Sequence, residues 1–135
     1  MEKYTVKKVI NKKDINVEVP GSKSITNRAL MLAAISNGKC KLSGVLFSDD
    51  SRAFLDCLDK LGFKLEIDEN AKTVVIQGEN GRIPNNEATI NVRSAGTAAR
   101  FMTVLLAVCG GKYTLESSEQ MKKRVNYLTS LWKMV

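Results

Sequence analysis

Two short stretches hold the residues best suited to chemistry, "PGSKSITNR" at 20–28 and "SAGTAAR" at 94–100. Each sets small residues directly ahead of an apolar run with helical spacing. A helix N-terminus presents unpaired N–H groups and about half a positive charge, so a turn of small residues there admits an anion close to the backbone. In the first stretch Lys23 adds a full charge and Ser24 a hydroxyl donor. Arg28, four residues beyond Ser24 and on the same helical face, adds a forked donor. The second stretch offers Ala95, Gly96 and Thr97, with Arg93 and Arg100 on either side. A phosphate or a carboxylate is the ligand class these groups suit. The first stretch is not a P-loop, because G-x-x-x-x-G-K-[ST] needs two glycines and only Gly21 is present, which disfavours a nucleoside triphosphate. Simple capping by Ser22 or Ser24, with Lys23 and Arg28 solvated, accounts for the first stretch equally well when it is taken alone. Arg93 reads as an ion-pairing residue that never meets substrate.

The rest of the composition narrows the chemistry. The chain has no histidine, so Ser-His and Cys-His nucleophiles, a histidine proton shuttle and a histidine metal site are excluded. Cys40, Cys57 and Cys109 are widely spaced, odd in number and set among apolar residues, as buried free thiols are; neither a disulfide nor a metal site is expected. Lysine and arginine number 21 against 14 acidic residues, a net charge of +7 that favours anionic partners. A nucleic-acid face would interleave basic with aromatic residues, and here the aromatics are few and scattered. "VKKVINKK" reads as a solvated surface. Lys122, Lys123 and Arg124 open the last helical pattern, where a cation opposes the dipole; binding an anion would explain them, although for Lys122 a plain surface position is the better reading.

The elements that must position these groups follow from periodicity. Strand patterns occur at "KYTVKKVI", "INVEV", "KCKLSGV", "FKLEI", "TVVIQG", "ATINV" and "KYTLES". Helical patterns occur at "SITNRALMLAAIS", "SDDSRAFLDCLDKLG", "GTAARFMTVLLAVC" and "QMKKRVNYLTSLWKMV". The mixture is an α/β (α+β) pattern in one domain-sized chain of 135 residues, with no apolar run long enough for a membrane span. Gly38 and Gly62 follow helices as C-terminal caps, while Ser48 with Asp49 and Asp50 reads as an N-cap followed by two first-turn acids.

An internal repeat ties the two stretches together. A displacement of 73 positions lays residues 17–44 over 90–117 without a gap. Gly38 and Lys39 then fall on Gly111 and Lys112, Leu32 on Leu105, Leu42 on Leu115, and Ser24 on Thr97. Each copy reads strand, small-residue turn, helix, strand, helix, and the first continues into two further strands. The second copy lacks them, so the chain is expected to be a fragment of a longer protein, with Leu128, Leu131, Trp132 and Val135 of its last helix uncovered and available for self-association.

"PGSKSITNRALMLAA", "SDDSRAFLDCLDKLG", "SAGTAARFMT" and "EQMKKR", in this order and spacing, resemble the N-terminal portion of the 5-enolpyruvylshikimate-3-phosphate synthase (3-phosphoshikimate 1-carboxyvinyltransferase) family. The resemblance runs from about residue 15 to Arg124. It implies the enolpyruvyl transferase fold, an inside-out α/β barrel in which β-α-β-α-β-β units place helices inside and sheets outside. About two units would be present here, one at 15–86 and an incomplete one at 87–135, forming a partial domain over 15–135. Residues 1–14 would form a strand beside the absent second domain.

The implied reaction moves the enolpyruvyl group of phosphoenolpyruvate to the 5-hydroxyl of shikimate 3-phosphate and releases phosphate, with no cofactor and no metal. By the family's motifs Lys23 would touch both substrates, Ser24, Arg28 and Thr97 the shikimate 3-phosphate, and Gly96 and Arg124 the phosphoenolpyruvate. The inhibitor glyphosate would use Lys23, Gly96 and Arg124. Three positions depart from the family pattern: Ser94 stands for a usual Asn, Gln120 for a common Arg, and Val125 for a usual Pro. The acid-base carboxylates, an Asp and a Glu, belong to the absent domain, so this chain alone is expected to bind substrate and catalyse nothing. The resemblance further implies small anionic substrates and the missing C-terminal part of the same protein as partners; the charged "MEKYTVKKVI" and the lack of a membrane-length apolar run read as a cytoplasmic protein without a membrane partner, and the scattered aromatics as one without nucleic acid. The competing readings are a UDP-N-acetylglucosamine enolpyruvyl transferase, whose first motif would read closer to Ser-Gly-Ala-Lys-Asn, and a basic RNA-end-binding module of related fold.

Overall fold

The computed structural model describes residues 21–123. The strands expected at "KYTVKKVI" and "INVEV", and all of the last helical pattern beyond Lys123 together with Arg124 and Val125, lie outside the described residues.

Helix α1 (Lys23–Ile35) starts where Ser22, in an extended conformation, accepts the Ile25 N–H on its hydroxyl at 3.4 Å. It ends at Ser36, also extended, whose N–H bonds Leu32 O and whose hydroxyl donates to Ala33 O at 2.8 Å. Gly38 is therefore not the expected cap: its φ of +98° lies inside β1 (Asn37–Ser43), opposite Gly78. Helix α2 (Asp49–Lys60) fits its pattern, with Ser48 accepting from Ser51 N–H, Asp49 and Asp50 in the first turn, and Gly62 at φ +91° just past the end.

Strands β2 (Leu65–Asp68) and β3 (Thr73–Glu79) form a hairpin, and β3 also pairs with β1, giving an antiparallel sheet of order β1-β3-β2. Val74 and Ile76, alternate residues of β3, are fully buried. The second copy follows as β4 (Glu87–Asn91), α3 (Gly96–Cys109) and β5 (Lys112–Glu116), the two strands pairing in parallel from Glu87 opposite Lys112 to Asn91 opposite Glu116. A short α4 (Glu119–Lys122), capped by Ser118, ends the described chain. Helix α1 begins at Lys23 and α3 at Gly96, which are equivalent under the 73-residue displacement.

The helices share the interior. α1 packs on the antiparallel sheet, α2 and α3 pack on the parallel pair, and the three helices contact one another. Leu30 and Ala34 of α1, Phe54 and Leu58 of α2, and Ala98 and Met102 of α3 meet in one apolar cluster. Phe54 and Phe101 stack edge to face with centroids 6.3 Å apart. No described helix is long and apolar enough to cross a membrane.

The thiols divide. Cys57 is buried and its thiol is pushed up to about 11, chiefly by burial and then by the Asp56 charge. Cys40 and Cys109 are half-buried rather than core; Cys40 shares a 3.2 Å hydrogen bond with the Ser36 hydroxyl, and Cys109 donates to Gly81 O at 3.2 Å.

Candidate anion-binding site

The two small-residue turns open equivalent helices, but their glycines do different work. A Cβ added at Gly21 would lie 2.6 Å from Gly44 O, so glycine is required there by the close approach of the chain to the end of β1. At Gly96 a Cβ would meet no atom within 4 Å, and the backbone is approachable. Helix α3 also lacks a side-chain cap, since its N-cap is Ala95. The free N–H groups of its first turn are therefore open to an external acceptor, with Gly96 and Thr97 half-buried beside them. In α1 the Ser22 hydroxyl occupies the Ile25 N–H, so capping is real in the first turn; Lys23 and Ser24, at the first two positions of that helix, have no intrahelical acceptor for their own N–H groups.

The cations sort themselves by partner. Lys23 Nζ lies 3.0 Å from Asp50 Oδ2 of α2. Arg28 is exposed and donates to Ser24 O at 3.2 Å, which draws the guanidinium back over the mouth of α1 and leaves its other donors available. Arg93 pairs with Asp56, bearing out its reading as an ion-pairing residue, and Lys122 pairs with Glu119, which raises its pKa through a side-chain hydrogen bond on an exposed surface. Arg100 is exposed.

The second turn is braced from behind. Arg93 adopts a left-handed φ of 53°, held by its N–H to Asn91 Oδ1 at 2.8 Å and by its carbonyl accepting from Ser118 N–H at 2.8 Å. Ser94, one of the departures from the family pattern, donates to the Ser118 hydroxyl at 2.8 Å, and Ser118 in turn caps α4. The turn leading to Gly96 and the start of α4 are thus tied by two hydrogen bonds.

Two groups were missed by sequence reasoning. Asp50 reads from sequence as a first-turn acid serving the α2 dipole, and its carboxylate also reaches Lys23. Asn27 is fully buried on the α1 face that carries Leu30 and Ala34, and neither its amide nitrogen nor its amide oxygen has a partner among the described residues. Spacing with Leu30 and Ala34 was the available signal for its burial. A depression of about 210 Å³ opens between the start of α1 and the end of β1, lined by Ser22, Ile25, Thr26, Ala29 and residues of β1 and its exit; Lys23, Ser24 and Arg28 do not line it.

Comparison with known proteins adds to this geometry. The family model for EPSP synthase (3-phosphoshikimate 1-carboxyvinyltransferase) matches residues 8–125. The chain belongs to the EPSP synthase family. A 3-phosphoshikimate 1-carboxyvinyltransferase from Trichormus variabilis is 43% identical over 111 residues, covering 82% of this chain and 26% of the relative. One from Ralstonia pickettii is 46% identical over 109 residues, 80% of this chain and 25% of the relative. A 2.37 Å structure of EPSP synthase from Acinetobacter baumannii superposes with a TM-score of 0.67 at 25% identity, covering 79% of this chain and 24% of that one. The chain thus spans about a quarter of the length of the relatives it matches. The α/β fold expected from the strand and helix periodicity is that of an EPSP synthase fragment, as the resemblance implied.

Proposed function

We propose that the chain supplies part of the substrate-binding face for transfer of the enolpyruvyl group from phosphoenolpyruvate to the 5-hydroxyl of shikimate 3-phosphate. The observation that carries this reading is the pair of equivalent helix openings at Lys23 and Gly96 in a chain of the EPSP synthase family. Two polyanions must be held side by side, and their mutual repulsion is offset only by cations and oriented N–H donors. Lys23 serves both substrates; Ser24, Arg28 and Thr97 serve shikimate 3-phosphate; Gly96 and Arg124 serve phosphoenolpyruvate. Glyphosate, in this reading, takes Lys23, Gly96 and Arg124.

Protein groups carry the whole of the reaction in this proposal, without metal or organic cofactor. The transfer needs a proton delivered to the methylene carbon of phosphoenolpyruvate while the 5-hydroxyl oxygen, losing its own proton, bonds the adjacent carbon; phosphate then leaves with the electrons of its C–O bond as a proton is taken back from the new methyl group, which restores the enolpyruvyl double bond. The acid-base carboxylates for those steps come from the remainder of the protein, so the chain by itself orients substrate without turning it over. The repeat units we assign are 15–86 and 87–135, and the compartment is the cytoplasm, where phosphorylated metabolites are retained. The test is phosphate release from phosphoenolpyruvate and shikimate 3-phosphate by the purified 135-residue chain. None is expected; turnover would show that the acid-base groups lie within this chain.

A further inference from the structure

The Lys23–Asp50 pair differs from the other ion pairs among the described residues. Asp50 has the least exposed carboxylate of any of them, with 26% side-chain exposure, whereas the acidic partners in the rest are about half exposed or more. It joins two packed helices, α1 and α2, across 27 positions of sequence. Capping does not explain Asp50, because Ser48 already accepts from Ser51 N–H at the start of α2.

The electrostatics favour the arrangement from both sides. A lysine heading a helix is opposed by the positive end of the dipole, and a carboxylate at 3.0 Å offsets that opposition. Asp50 sits in the first turn of its own helix, where the dipole stabilises negative charge. A lysine side chain has four rotatable bonds, and an anion that binds a loose one must order it. An ammonium has three N–H donors, and a single carboxylate partner, Asp50 at 3.0 Å, does not use them all, so donors remain for a ligand.

We propose that Asp50 is a positioning residue that holds the Lys23 ammonium at the mouth of α1 for an anionic substrate, acting on the substrate only through Lys23. The inference rests on the reading of Lys23 as a substrate ligand. It requires that ordering of Lys23 outweigh repulsion between Asp50 and the bound phosphate, which the interposed ammonium screens.

The test is a double-mutant cycle on the 135-residue chain with shikimate 3-phosphate as the probe, using Asp50→Asn, Lys23→Gln and the double variant, with urea midpoints to confirm folding. Asp50→Asn should weaken binding about three- to tenfold while Lys23 is present and leave it unchanged in the Lys23→Gln background, and Asp50→Glu should restore most of the affinity. Carbon relaxation at Lys23 Cε in the ligand-free chain should show the side chain loosened by Asp50→Asn. Unchanged or tighter binding by Asp50→Asn, an equal loss in both backgrounds, or a Lys23 side chain as mobile in the parent as in Asp50→Asn would each overturn the proposal. Absence of binding by the parent chain would overturn the substrate reading of Lys23, while the relaxation result separately shows whether Asp50 holds it.

Discussion

Replacing Gly96 with alanine should separate folding from binding. The added Cβ meets no atom within 4 Å, and Gly96 is the first residue of α3, so the substitution introduces no clash and removes conformational freedom from the unfolded chain. Stability should be unchanged or rise by up to about 1 kcal/mol, a shift in Tm of at most roughly 4 °C for a chain of this size. The same methyl group stands at the open mouth of an uncapped helix, where an anion would approach the free N–H groups. Displacing one charge-assisted hydrogen bond there costs about 1.5–3 kcal/mol, or roughly 10- to 150-fold in Kd. Thermal unfolding and titration with phosphoenolpyruvate, each on parent and variant, give the two numbers. A lowered Tm would show that Gly96 is packed, and undiminished binding would show that no ligand uses this opening.

Gly78→Ala should have the opposite profile: its Cβ would lie 2.5 Å from Ser36 O and 2.6 Å from Ala33 O, so the end of α1 must lift from β3, and urea unfolding should show a loss of about 1–3 kcal/mol. Arg28→Ala removes an exposed side chain whose one described bond is to Ser24 O, so the urea midpoint should move by less than about 0.5 kcal/mol while affinity for shikimate 3-phosphate falls at least tenfold. Cys57, whose pKa rises from 9.0 to about 11 on folding, favours the folded state while it is a neutral thiol. That contribution is whole below pH 9 and is lost as pH rises through 11, so the stability difference between parent and Cys57→Ala should shrink by about 2 kcal/mol over that window.

Legibility of the sequence followed the range of the interactions involved. Helix α3 occupies the span its periodicity predicts, Gly96–Cys109, and β3 differs from its pattern by one residue, because apolar spacing and flanking glycines are local signals. The repeat located both helix openings, since strand and helix must alternate at fixed lengths for the two copies to stack. Glycine after a helix suggests a cap at Gly38, whereas Ser36 ends α1 in extended geometry and the positive φ of Gly38 lies within β1, opposite Gly78. Long-range pairs were beyond reach: the charges of Lys23 and Arg93 were visible, but not that Asp50 and Asp56 of one helix would meet them. Asp50 in particular is a first-turn acid of α2, which the helix dipole alone accounts for, so its sequence signals no second role. Asn27 was hidden by its type, since a polar residue on the buried face of α1 is read as solvent-facing unless spacing is given precedence.

The central claim, that the openings of α1 and α3 form a phosphate-reading face, is tested most directly by titrating shikimate 3-phosphate into the isotope-labelled chain and following its backbone amides by NMR. Shikimate, which lacks the phosphate, serves as control. Saturable shifts confined to Lys23, Ser24, Gly96 and Thr97, given by the phosphate ester alone, are the predicted result. Equal shifts with shikimate, or shifts centred on other residues of a folded chain, would contradict the account.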